Sequence, residues 1–122
     1  MESILTSIKK LLGITEEYEH FDADIIMHIN SVFTILTQLG VGPSTGFRIE
    51  DKSTTWNEFI SDDPNLDSVK SYMHLKVKLL FDPPLSSVVT DSMNRMINEF
   101  EWRLNLSVEQ TQDNREEENQ NG

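Results

Sequence analysis

The chain has 122 residues, of which 37% are hydrophobic, with 10 Lys and Arg set against 21 Asp and Glu for a net charge of −11. That length allows one domain with a modest core, and the low apolar share implies a thin core or one completed by a partner. The acidic balance argues against a nucleic-acid reader or a binder of anionic membranes, and the lack of cysteine excludes disulfides, thiolate chemistry and cysteine zinc sites.

Residues 3–12 read as a short helix. Ile4, Leu5, Ile8, Leu11 and Leu12 recur at helical spacing, and Gly13 is its stop. Lys9 and Lys10 follow the apolar residues, the wrong order for a secretory signal. No apolar run approaches the length needed to span a bilayer. Glu16, Glu17 and Glu19 then make an acidic, solvated connector.

A second helix is predicted over residues 21–39, with Asp22 as its cap. Ile25, Ile29, Val32, Leu36 and Leu39 step by four, three, four and three, which is one continuous buried seam. Ile26, Phe33 and Ile35 lie outside that seam. A helix apolar on more than one face is central in its fold or packs on a neighbouring subunit, so Ile26 and Phe33 are candidate interface residues.

Gly40, Gly42, Pro43 and Gly46 break the chain. Phe47-Arg48-Ile49-Glu50 alternates apolar and charged, as a short extended arm or half of a β-hairpin would. Such a segment needs a partner strand or groove, so Phe47 and Ile49 join the interface candidates. A short helix follows over residues 56–60, capped by Thr54 or Thr55, with Trp56, Phe59 and Ile60 facing inward.

A helical hairpin closes the domain. Its first arm covers residues 66–81, with Val69, Tyr72, Met73, Val77 and Leu80 on one face. Asp82-Pro83-Pro84 forms a hard corner, because proline moves the residue before it out of helical angles. Ser86 or Ser87 caps the second arm, residues 88–106, whose stripe is Val89, Met93, Met96, Ile97, Phe100 and Leu104. Trp102 sits at the edge of that stripe, flanking the core or anchoring a subunit contact. From Ser107 the composition turns to Gln, Asn and Glu, which predicts a disordered acidic tail over residues 107–122. The tail holds 5 acids and 1 base (−4) and residues 1–106 hold 16 and 9 (−7), so both parts are acidic.

Chemistry is sparse. His20, Asp24 and His28 step by four along one helix face, but a metal needs three or four converging ligands and no further partner is identifiable. The acid pairs Asp62 with Asp63, Glu99 with Glu101 and Asp22 with Asp24 sit where caps or solvated faces explain them. Gly40-Val41-Gly42-Pro43 lacks the lysine and hydroxyl residue of a phosphate loop. No nucleophile elbow occurs. No catalytic residue, cofactor or metal site is therefore expected. Lys70, Lys76 and Lys78 are too few for a nucleic-acid patch. They serve solubility and the helix dipole, or face a channel and offset repulsion of passing DNA.

The run YMHLKVKLLFDPP at residues 72–84, SSVV at 86–89 and FEWRLNL at 100–106 resemble the head–tail connector proteins, or neck adaptors, of long-tailed bacteriophages. Residues 22–43 are similar to that family's central helix and glycine exit, and residues 46–60 to its variable middle. The acidic tail lies outside the resemblance. The resemblance implies a non-enzymatic virion protein of the neck, made in the host cytoplasm. It would assemble as a homo-oligomeric ring, typically a dodecamer, beneath the portal protein. The ring extends the DNA channel, with DNA only as cargo, and presents a platform to the next neck or tail-completion protein. No cofactor or membrane is implied. The different-class alternative is a small acidic regulatory module that binds one protein as monomer or dimer. The expected fold is all-α, a bundle of about four to five helices. Residues 1–106 form its domain.

Overall fold

The computed structural model describes residues 2–61 and 63–121, with side chains through residue 110. Its elements are α1 (Ile4–Leu11), α2 (Asp22–Gln38), α3 (Trp56–Phe59), α4 (Leu66–Phe81) and α5 (Ser87–Asn121). Among the described residues there is no strand, only one antiparallel bridge between Ser3 and Thr55. The all-α class follows the expectation.

α1 begins where Ser3 accepts a hydrogen bond from the Thr6 N–H at 3.2 Å. Ile4, Leu5 and Ile8 are buried, while Leu11 at the helix end is half exposed. Lys9 is the unexpected core residue. Only 2% exposed, its Nζ lies 2.8 Å from Asp22 Oδ1 and donates to the Glu16 carbonyl at 2.9 Å. A buried ammonium requires such partners. This pairing explains why Asp22 does not cap α2. Phe21 takes the cap position instead, without a side-chain hydrogen bond.

α2 packs against both α1 and α4. Ile25, Ile29, Val32 and Leu36 of its seam are fully buried. Its second apolar face is covered from within the chain. The Phe33 ring lies 5.0 Å from Phe47 and 4.8 Å from Phe59, centroid to centroid. Phe33 is 0% exposed and Ile49 1%, so these two are core residues and not surface available to another subunit. Burying each such side chain stabilises the fold by about 1.5–3 kcal/mol.

The arm is extended, but it has its partner at home. Asn30 Nδ2 donates to the Ile49 carbonyl at 3.0 Å, and the Ile49 N–H donates to Asn30 Oδ1 at 2.8 Å. A side-chain amide thus supplies the pairing a neighbouring strand would give. α3 starts with Thr55 and Glu58 in a capping box, and Trp56 and Phe59 are buried. Trp56 Nε1 donates to Ser7 Oγ at 2.8 Å, joining α3 to α1. Phe59 also closes over Gly42, whose φ is 85°, where an added Cβ would overlap the ring.

α4 occupies the predicted residues. Val69, Tyr72, Met73 and Val77 are buried, but Leu75 replaces Leu80, which is 52% exposed. Asp82 ends the helix, its N–H donating to the Lys78 carbonyl. After the prolines, Ser86 Oγ accepts from the Val89 N–H at 3.4 Å and α5 begins at Ser87. Tyr72 Oη donates to Glu101 Oε1 at 2.6 Å and ties the two arms together.

The boundary expected at residue 106 does not coincide with an element end. α5 runs on to Asn121, 35 residues in all, or about 50 Å. No Gly or Pro interrupts it, and its Glu, Gln and Arg residues favour helix. Val108 packs on the core beside Gly40, and Asn65 Nδ2 donates to Ser107 Oγ at 2.8 Å. Ser107 and Val108, the first residues past the expected boundary, thus lie within α5 and touch the rest of the domain. Side chains of the acidic tail past residue 110 lie outside the description.

Candidate interaction surfaces

Of the five interface candidates, three remain at the surface. Ile26 and Phe47 are half-buried, and both line an open groove of about 780 Å³ between the outer face of α2 and the arm. Met27, 58% exposed, and Arg48 complete its rim. Trp102 on α5 is 64% exposed.

The three lysines do not form one basic face. Lys70 pairs with Glu2 at 3.3 Å and lies 5.8 Å above the Trp56 ring. Lys78 pairs with Asp82 at 3.1 Å, at the opposite end of α4. Lys76 is half-buried between them in sequence. Two of the three charges are thus already engaged within the chain.

Glu99 pairs with Arg103, while Glu101 turns to Tyr72, so that acid pair points apart. Burial, then the Glu101 hydrogen bond, pushes the Tyr72 hydroxyl far above the ordinary tyrosine range. Burial, then the nearby Lys78 charge, lowers the His74 pKa below its ordinary value, against an opposing hydrogen bond to the Leu11 backbone. His20 and His28 rest against Phe21 and Phe81 at 4.9 and 6.5 Å. Among the described residues, no three His, Cys, Asp or Glu side chains converge to hold a metal. Asp62 of the Asp62–Asp63 pair lies outside the described residues.

Sequence reasoning missed the hairpin tip. Leu80 and Val89 belong by periodicity to core stripes, yet they are 52% and 47% exposed. Leu85 and Val88 are exposed beside them, at 106% and 72%. Next to this tip is a cleft of about 400 Å³ lined by Leu12, Ile14, Phe21, Phe81 and Asp82. The signal available in the sequence was Leu85 itself, an apolar residue in a proline turn.

The family described as phage connector protein matches residues 4–111, from the first residue of α1 into the second half of α5. No curated protein and no solved structure matches. A match over nearly the whole folded chain, on a helical scaffold with exposed apolar surfaces, shows that this chain belongs to the phage connector protein family, whose members are structural proteins and not enzymes.

Proposed function

We propose that this protein is the head–tail connector of its virion, assembling as a ring beneath the portal, a dodecamer in the finished neck. The ring extends the DNA channel and carries the next neck or tail-completion protein. The observation that carries this reading is the family match across residues 4–111. The groove at Ile26 and Phe47 and the exposed Trp102 on α5 are separate surfaces, as head-to-tail ring contacts require. The net charge of −11 suits a wall past which DNA slides without being held. Assembly takes place in the host cytoplasm, and the neck of the virion is the final location. Among the described residues no helix is long and apolar enough to cross a membrane.

The test is the solution mass by light scattering over a range of concentrations, with and without purified portal protein. A ring-sized species, alone or on the portal, is the expected result. Failure to oligomerise or to bind the portal under either condition would overturn the reading. Trp102→Ala should lower the yield of rings while leaving the monomer folded.

A further inference from the structure

Both arms of the α4–α5 hairpin carry their core stripe beyond the point where the chain covers it. Leu80 lies one turn past the fully buried Val77, and Val89 one turn before the buried Met93. With Leu85 and Val88 they leave an apolar tip facing solvent. The adjoining cleft is apolar except for Asp82, and its aromatic floor is the edge-to-face pair Phe21 and Phe81, 5.3 Å apart.

The chain that connects two of the cleft's lining residues is acidic. The loop between Ile14 and Phe21 presents Glu16, Glu17 and Glu19, all exposed. Asp82 lines the cleft itself. The nearby bases do not balance these acids. Lys9 is buried against Asp22 and the Glu16 carbonyl, Lys78 is tied to Asp82, and Lys10 is the one exposed lysine beside Leu12. An apolar cleft joined to an acidic loop selects an apolar anchor flanked by bases.

We propose that the hairpin tip and its cleft dock a basic amphipathic segment of a partner protein. The segment lays an apolar side chain against Phe21 and Phe81 and sets its Lys or Arg residues opposite Glu16, Glu17 and Glu19. A second copy of this chain fits poorly, because it brings the same acidic loop and a net charge of −11. The inference rests on the connector reading only in taking that partner to be another virion protein.

The probe is a synthetic amphipathic Leu/Lys peptide of about four helical turns, with Leu/Glu and Ser/Lys peptides of equal length as controls. Each is titrated into the full-length isotope-labelled protein and followed by amide chemical shifts. Saturable shifts at Leu12, Ile14, Phe21 and Phe81 are expected with Leu/Lys, and binding about tenfold weaker with either control. The combined Glu16→Lys, Glu17→Lys and Glu19→Lys variant, checked for native helicity, should weaken Leu/Lys binding by about tenfold. Leu85→Ser should weaken it as well. Shifts centred elsewhere, equal binding of the controls, or indifference to the charge reversal would each overturn the proposal. So would tip signals that move with protein concentration alone, which would mark a second copy as the occupant. None of these readouts depends on ring formation or on the portal, so the connector reading stands or falls separately.

Discussion

Asn30 satisfies both backbone polar groups of Ile49, donating to its carbonyl at 3.0 Å and accepting from its N–H at 2.8 Å. One side chain therefore converts an arm that would need an outside strand into part of the monomer core. Asn30→Ala strands both groups beside a side chain that is 1% exposed. The expected loss is about 2–3 kcal/mol in urea unfolding, since a buried polar group left unpaired costs about 1–3 kcal/mol. Asn30→Asp keeps the acceptor and should fall between. A loss below about 0.5 kcal/mol for the alanine variant would mean that the arm is held by its side chains alone.

The Lys9–Asp22 pair predicts an asymmetry. Lys9 is 2% exposed and Asp22 26%, so the two charges differ in their access to water. Asp22→Asn leaves a buried ammonium short of its counter-ion and should cost about 3 kcal/mol. Lys9→Met leaves the buried Asp22 Oδ1 without a partner, but the rest of that carboxyl is 26% exposed, so this variant should cost less, about 2 kcal/mol. The reverse order of unfolding midpoints would refute this account of how the loop between α1 and α2 is held.

Gly42 and Gly13 separate backbone strain from packing. Their φ values are 85° and 81°, but a Cβ at Gly42 would overlap Phe59, whereas at Gly13 it meets nothing within 4 Å. Gly13→Ala should therefore cost about 1–2 kcal/mol, the left-handed penalty alone. Gly42→Ala adds a steric term of about 1–3 kcal/mol. Equal losses in thermal unfolding would show that Phe59 moves aside freely.

His74 predicts a pH effect with a definite sign. Its pKa in the fold lies below the ordinary 6.5, chiefly through burial and secondarily through Lys78. The unfolded chain therefore takes up the proton first, and through this group stability decreases as the pH is lowered. Its contribution is complete above 6.5 and is lost as the pH drops from there through the folded value. Urea midpoints at about pH 7.5 and about pH 5.5 lie on either side of the ordinary 6.5, and His74→Leu should reduce the difference between them. An unchanged difference would assign the pH dependence to other groups.

Local chemistry made much of this fold legible in the sequence. The extent of α4 follows from its stripe and from Pro83-Pro84, which stop a helix whatever surrounds it. The α2 seam from Ile25 to Leu36 follows from spacing, and a threonine cap ahead of Trp56 from side-chain type, though the structure chooses Thr55 over Thr54. The candidate surfaces were only partly legible, with Ile26, Phe47 and Trp102 at the surface but Phe33 and Ile49 inside. Periodicity says which residues share a face, but not what covers that face or how far the cover extends. Phe33 is buried because Phe47 and Phe59 arrive from distant sequence, and Lys9 because Asp22 meets it across a loop. Leu80 and Val89 are exposed because the bundle ends before their stripes do. The sequence by itself determined the helices through α4, the start of α5, the corner between them and the acidic charge, which depend on neighbours along the chain. Only the tertiary structure decided which apolar residues remain for partners, because burial depends on neighbours in space.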